Sequence, residues 1–200
     1  MKIIDCQQQS EEWFAARLGK VTASKFSEVL NKKTGRGLYM RKLAAEILTG
    51  LAEESFHNKI MDNGAETEAE AKEYYSKLFG VEVNLVGFIE KDEWIGCSPD
   101  GLIGDDGTIE VKCPLGSTHI DYIIRNTMPP VYVPQIQGQL WVTGRQWCDF
   151  VSYVPAMSSK PLHSIRIKRD DEYILNLEAE TNIFIKELKE LIAKIESNAF

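Results

Sequence analysis

Ser98-Pro99-Asp100-Gly101 is followed, after a short gap, by Ile109-Glu110-Val111-Lys112-Cys113-Pro114, and Asp105-Asp106-Gly107 lies between them. The middle triplet has turn chemistry, so the two runs predict strands folded back on one another. Side chains alternate along a strand, which sends Glu110 and Lys112 to one face and Ile109 and Val111 into a core layer on the other. The fold-back can set Asp100 beside Glu110. Two carboxylates in one place repel unless a cation lies between them.

Outward from this hairpin the pattern is β-like on the N-terminal side, in VEVNLVGFIE (81–90) and EWIGC (93–97). Further strands are predicted near 147–154 and 162–168. Helical signals flank them. Ser10 caps one short helix and Thr22 a second, joined at Gly19. Residues 38–49 form a third, with Leu38, Met40, Leu43, Ala44, Ile47 and Leu48 towards one side and Gly50 as its stop. A fourth runs from Asn63 to residue 79, with an apolar stripe of Ala71, Tyr75 and Leu78 and a stop at Gly80. Others follow at 117–127, from near Pro134, and from about 170 to 196. Helices on both sides of a run of strands predict an α/β fold, a central mixed β-sheet flanked by helices on both faces.

With 200 residues and 44% apolar content, the chain suits one domain over 1–200 with a sizeable core. No run of about 20 apolar residues suggests a membrane span, and the opening has no signal-peptide pattern, so a cytoplasmic location is expected. Cys6, Cys97, Cys113 and Cys148 are scattered, without a CxxC pair, and read as reduced thiols. A net charge of -7 excludes a protein that coats nucleic acid over its whole surface. Residues 1–50 nevertheless hold nine Lys plus Arg against five Asp plus Glu. Such a local excess suits a groove for a polyanion.

The oxygen-rich set around Asp100 and Glu110 fits magnesium, which takes few carboxylates and keeps several waters. A centre of this kind, with Lys112 to orient a nucleophile, serves phosphodiester hydrolysis. Glu68 is a further acid. Glu66, Glu70 and Glu73 form a solvent stripe, whereas Glu68 lies three residues before Ala71 and seven before Tyr75, towards the buried side. His57, His119 and His163 are too dispersed for a zinc or nucleophile site. No Gly-rich loop follows a strand to hold a nucleotide cofactor.

Five ordered blocks carry a wider resemblance. They are Trp13-x-x-x-Arg17-Leu18-Gly19 with Thr22-Ala23-Ser24; Gly64-x-x-x-Glu68; Cys97-Ser98-Pro99-Asp100-Gly101-Leu102; Glu110-Val111-Lys112-Cys113-Pro114; and Tyr132-x-x-Gln135-x-Gln137-x-x-x-Trp141. Together they resemble the PD-(D/E)xK nuclease superfamily, and specifically the lambda-type alkaline exonucleases of phage recombination systems. The resemblance implies that Asp100, Glu110 and the Val111 carbonyl bind magnesium, for which manganese could substitute. It implies that Lys112 positions the attacking water, with Glu68 supporting the metal site and Gln137 nearby. Arg17, Ser24, Ser98 and Gln137 become candidates for a 5′-phosphate pocket, a role that suits the bidentate guanidinium of Arg17. It further implies degradation of one strand of duplex DNA from its 5′ end. A ring-shaped homotrimer and a single-strand annealing recombination protein as partner are implied too. In this scheme the N-terminal helices at 10–50 contribute to binding DNA ends, the catalytic core spans about 63–168, and a helix closes the chain at about 170–196. A structure- or sequence-specific endonuclease on the same scaffold, or a non-catalytic module binding DNA ends or a partner, are the alternative functions.

Overall fold

A computed structural model describes residues 1–31, 35–52 and 59–198, with the backbone alone over 59–65. His57 lies outside the described residues, as does the side chain of Asn63. The elements in chain order are β1 (Lys2–Ile4), α1 (Glu11–Arg17), β2 (Val21–Thr22), a 3-10 turn (Ala23–Lys25), α2 (Phe26–Leu30), α3 (Gly35–Thr49) and α4 (Lys59–Phe79). Then come β3 (Val83–Asn84), β4 (Phe88–Glu90), β5 (Ile95–Cys97), β6 (Gly101–Ile103), β7 (Gly107–Lys112) and α5 (Gly116–Arg125). A second 3-10 turn (Pro130–Tyr132) leads into α6 (Val133–Thr143), followed by β8 (Trp147–Tyr153), β9 (Leu162–Lys168) and α7 (Asp171–Glu196).

The α/β layering is as expected, but the strands divide between two sheets. One has the order β1-β4-β5-β2 and the other β3-β6-β7-β8-β9. Both are mixed: β2 runs parallel to β5, and β7 parallel to β8, while the other pairs are antiparallel. A parallel β7–β8 pair needs a crossover, and α5 with α6 supplies it. The β6–β7 hairpin pairs Gly101 with Ile109 and Ile103 with Gly107. Its closing residue must be glycine, since a Cβ on Gly107 would lie 2.2 Å from the Trp147 ring.

Helix α6 is the pivot between the sheets. Pro134 opens it, where a missing N–H costs nothing, and every residue from Ile136 to Thr143 is buried. Gly138 lets the Phe26 ring close onto it; a Cβ there would sit 2.2 Å from that ring. Trp141 and Val142 join the larger core with Val21, Phe26, Phe184 and Leu188, whereas Ile136 and Leu140 join Phe150 and Tyr122 in another cluster. Ile109 and Val111 pack under α4 against Ala71 and Tyr75. The expected split of β7 into an acidic face and a core face is thus present.

Several local expectations differ. Helix α4 begins at Lys59, four residues before Asn63. Leu78 is 56% exposed and lies outside the cluster that Ala71 and Tyr75 form with the strands. On α3 the buried residues are Tyr39, Leu43 and Ala44, while Leu38 and Leu48 face outward. At about 100° per residue, five positions from Leu43 in either direction is roughly 140° away, off the buried face. Thr22 ends a strand and makes no side-chain cap, whereas Ser10 caps α1 by accepting the Trp13 N–H. Residues 2–4, not anticipated as a strand, pair with β4.

Candidate active site

The hairpin brings the three central residues together. Asp100 is half-buried, and its Oδ2 accepts the Val111 main-chain N–H at 2.6 Å. Its own N–H donates to the Ile109 carbonyl at 3.2 Å, continuing the β6–β7 ladder by one residue. Glu110 is 1% exposed. Its Oε1 accepts from Lys112 Nζ at 2.5 Å and from Gln135 Nε2 at 2.6 Å, and its Oε2 accepts from Gln139 Nε2 at 2.6 Å. Lys112 Nζ also lies 5.3 Å from the centre of the Tyr132 ring.

Glu68 stands on α4 at the rim of a cleft that also exposes Asp100, Gln7, Gln9 and Ser10. Its side chain is 30% exposed and pairs with Lys72 at 2.9 Å, so it is neither buried nor unpartnered. The clustering has an electrostatic signature. Burial, then the Glu110 and Glu68 charges, push the Asp100 carboxyl well above the usual carboxylate range, against the pull of Lys112 and the Val111 N–H. Burial would depress the Lys112 ammonium, but Glu110 and Asp100 outweigh it and hold Lys112 above its ordinary value.

This donor set fits a hard divalent cation. Among the described residues no three of His, Cys, Asp and Glu form a cage by themselves. A strand residue directs its N–H and C=O to the same edge, so the Val111 carbonyl faces the Asp100 side beyond the end of β6. Two carboxylates and one main-chain oxygen, completed by water, make the sparse oxygen set that magnesium accepts.

Arg17, Ser24 and Ser98 converge through two other residues. The Arg17 guanidinium lies 4.0 Å from the centre of the Trp13 ring, and Trp13 Nε1 donates to Ser98 Oγ at 2.8 Å. Arg17 Nη2 is 3.5 Å from Thr22 Oγ1, which is 3.4 Å from Ser24 Oγ. Ser98 is two residues from Asp100, so this cluster abuts the acids along the chain.

Gln137 is not brought to either cluster. Its Nε2 donates to the Lys168 carbonyl at 2.9 Å and its Oε1 accepts the Asp170 N–H at 2.9 Å, tying α6 to the start of α7. Gln135 and Gln139 stand at the acids instead. They are four residues apart on one helical face, while Gln137, two residues from each, falls on the opposite side. Helical spacing in the sequence already distinguishes them. Trp13 and Thr22 as connectors have no comparable signal, because only the fold brings α1 to the β5–β6 connection. The same holds for Gln8, whose Nε2 donates to the Val86 carbonyl at 2.8 Å and the Pro99 carbonyl at 2.9 Å.

The two described histidines, His119 and His163, are not among the groups that meet at the acids. His119, wholly buried, bonds Ser152 Oγ through Nδ1 at 2.7 Å and the Lys160 carbonyl through Nε2 at 3.0 Å. All four cysteines are unpaired.

Known proteins share this chain's fold and much of its sequence. The crystal structure of the alkaline exonuclease LHK-Exo from Laribacter hongkongensis is 43% identical, with a TM-score of 0.89 over 95% of this chain and 98% of that one. The structure of LHK-Exo in complex with dAMP is 44% identical, with the same TM-score and coverage. The uncharacterized protein R354 of Acanthamoeba polyphaga mimivirus is 25% identical over 177 residues, 75% of this chain. The chain spans 30% of that protein's length. Residues 12–146, which include all five sequence blocks through Trp141, match the YqaJ-like viral recombinase domain, and the chain belongs to that family.

Proposed function

We propose that this chain is a magnesium-dependent exonuclease that degrades one strand of linear double-stranded DNA from a 5′-phosphorylated end, leaving a 3′ single-stranded tail for recombination. The observation that carries the chemistry is the Asp100, Glu110 and Lys112 cluster, in which two acids are held against mutual repulsion by one ammonium and one main-chain N–H. Family membership and the match to an alkaline exonuclease over both whole chains make it a nuclease that hydrolyses DNA.

Magnesium, when bound, supplies the positive charge that offsets charge growing on the phosphate, and manganese serves in its place. The protein's own groups do the positioning. Gln135 and Gln139 hold the Glu110 carboxylate from one side and Lys112 from another, so its oxygens cannot swing away. Lys112, kept protonated by the acids, is placed to orient the attacking water and to donate to the developing anion. Arg17, with Ser24 and Ser98 close by, is placed to receive the terminal 5′-phosphate. In this scheme the N-terminal helices at 10–50 contribute to binding the DNA end and the core at about 63–168 carries the chemistry. A ring-shaped homotrimer and a single-strand annealing protein as partner follow from the family resemblance, and a cytoplasmic setting from the sequence pattern. No helix among the described residues is long and apolar enough to cross a membrane.

The deciding assay compares linear duplex bearing 5′-phosphate or 5′-hydroxyl ends with closed circular duplex, with and without magnesium, for wild type and Lys112→Ala. Magnesium-dependent loss of linear duplex is expected, with the circle intact and a rate at least ~10²-fold lower in the variant. Cutting of the circle would establish the endonuclease alternative instead.

A further inference from the structure

Residues 7–10 form a turn on the wall of the acids' cleft. The Ser10 N–H donates to the Gln7 carbonyl at 3.1 Å, and the third residue of the turn, Gln9, has a φ of 69°. That left-handed region favours glycine, and a residue with a Cβ is strained there. The turn is held from both sides. Gln8 donates from Nε2 to the Val86 and Pro99 carbonyls at 2.8 and 2.9 Å, and Ser10 Oγ accepts the Trp13 N–H at 3.2 Å. Its two neighbours thus impose the strained backbone on Gln9.

The side chain at this strained position is uncommitted. Gln9 is exposed, and its amide makes no hydrogen bond with any described residue. Glycine would serve the turn better, so the fold by itself gives no reason for an amide here. The cleft gives one. It measures about 770 Å³, within the range of ligand pockets, and Glu66, Glu68 and Asp100 line it together with Gln9. Lys72 is the single cation among the described residues of that lining, and Glu68 pairs with it at 2.9 Å. A phosphate entering the cleft therefore meets three carboxylates and one occupied ammonium. Gln9 offers it two N–H donors without adding a charge beside the acids.

We propose that Gln9 is a substrate-contacting residue, whose amide donates to a backbone phosphate of the DNA strand held in the acids' cleft. The inference rests on the nuclease reading above. Position favours a phosphate near the cut: the Gln8 amide ties the turn to Pro99, the residue before Asp100, and Gln9 and Asp100 line one cleft. A neutral donor to the backbone also suits an enzyme that must accept any sequence. The backbone strain is then part of the device, since it fixes where the amide is presented before the strand arrives.

The test separates the amide from the backbone that carries it. Wild type, Gln9→Met and Gln9→Gly are compared by melting temperature, and by KM and kcat on 5′-phosphorylated linear duplex with magnesium. Kd is read by fluorescence anisotropy in chelator, where no strand is cut, on duplexes with one neutral methylphosphonate at each of the first three linkages from the 5′ end. Gln9→Met keeps the strain and loses the donors, so Kd and KM should rise roughly tenfold with kcat and Tm unchanged. Gln9→Gly loses both, so Kd should rise as much while Tm rises by roughly 2 °C. The salt dependence of Kd should stay as in wild type, because an amide releases no counterion. At one linkage, neutralisation should penalise wild type more than Gln9→Met. Unchanged Kd and KM in Gln9→Met would overturn the contact, as would a weaker Kd in Gln9→Gly accompanied by a lower Tm. Equal penalties in wild type and Gln9→Met at every linkage would overturn phosphate as the partner. Failure of wild type to degrade linear duplex would instead overturn the nuclease reading.

Discussion

The main-chain N–H of Val111 donates to the Oδ2 of Asp100 at 2.6 Å, so the backbone between Glu110 and Lys112 itself holds the opposing acid in place. A single register therefore fixes all three groups. A slip of one residue between β6 and β7 would turn Glu110 and Lys112 into the core layer and break this bond at the same time.

Asp100→Asn tests the electrostatic cost of that arrangement. Burial together with Glu110 and Glu68 disfavours the charged Asp100, so the folded state is strained by it at neutral pH when no cation is present. The variant should melt about 2–4 °C higher than wild type in chelator, the shift expected for ~1 kcal/mol in a chain of this size. It should lose both the gain in Tm on adding magnesium and the nuclease activity. A lower Tm in chelator would show that Asp100 is not under repulsion.

Arg17→Ala should narrow the preference for 5′-phosphate over 5′-hydroxyl ends, since the other two residues proposed for that pocket, Ser24 and Ser98, are neutral donors. Metal affinity, read by titrating magnesium into the activity assay, should stay as in wild type. An undiminished preference in the variant would remove Arg17 from the pocket.

Gln137→Leu and Gln139→Leu should fail in different ways. The first removes both ties between α6 and the start of α7, at about 1–3 kcal/mol of stability, with kcat retained at low temperature. The second leaves Glu110 Oε2 without its donor, so kcat should fall at saturating magnesium. Denaturant midpoints and steady-state rates on the pair separate the two roles.

His163 should give the stability an acid-side slope. Its Nε2 is buried without a hydrogen-bond partner among the described residues, and burial, followed by Lys160 and His119, lowers its pKa below 6.5. The unfolded chain then binds this proton more readily than the folded one. The neutral ring's contribution is complete above pH 6.5 and is lost as pH falls through the depressed folded value. Melting temperatures between about pH 8 and pH 5 should fall less steeply in His163→Leu than in wild type. Parallel curves would show that the ring does not titrate with unfolding.

The elements most legible in the sequence are those whose signals are local. The Asp105–Gly107 turn, the alternation of Ile109 to Lys112, and Gly80 at the end of α4 each follow from neighbours along the chain. The division into two sheets depends on partners far apart, such as Val21 beside Ile95, and no local pattern announces it. For the site, strand alternation was enough to pair Glu110 with Lys112. The choice between Gln135 and Gln137 needed only the helical turn, but a motif match favoured the second over the first. Glu68 was placed near the buried side by its spacing to Tyr75, and only the side-chain bond to Lys72 shows how it is accommodated.

The bridge from Gln8 to the carbonyls of Val86 and Pro99 has a consequence for biosynthesis. Its partners lie 78 and 91 positions further along the chain, so the stretch around Gln8 must wait for these contacts until Ser98-Pro99-Asp100-Gly101 has been made. Until then Trp13 has no Ser98 to meet and the acids lack their flanking wall. The acids and the wall beside them therefore come together only once the hairpin to Lys112 has been made, past the midpoint of these 200 residues.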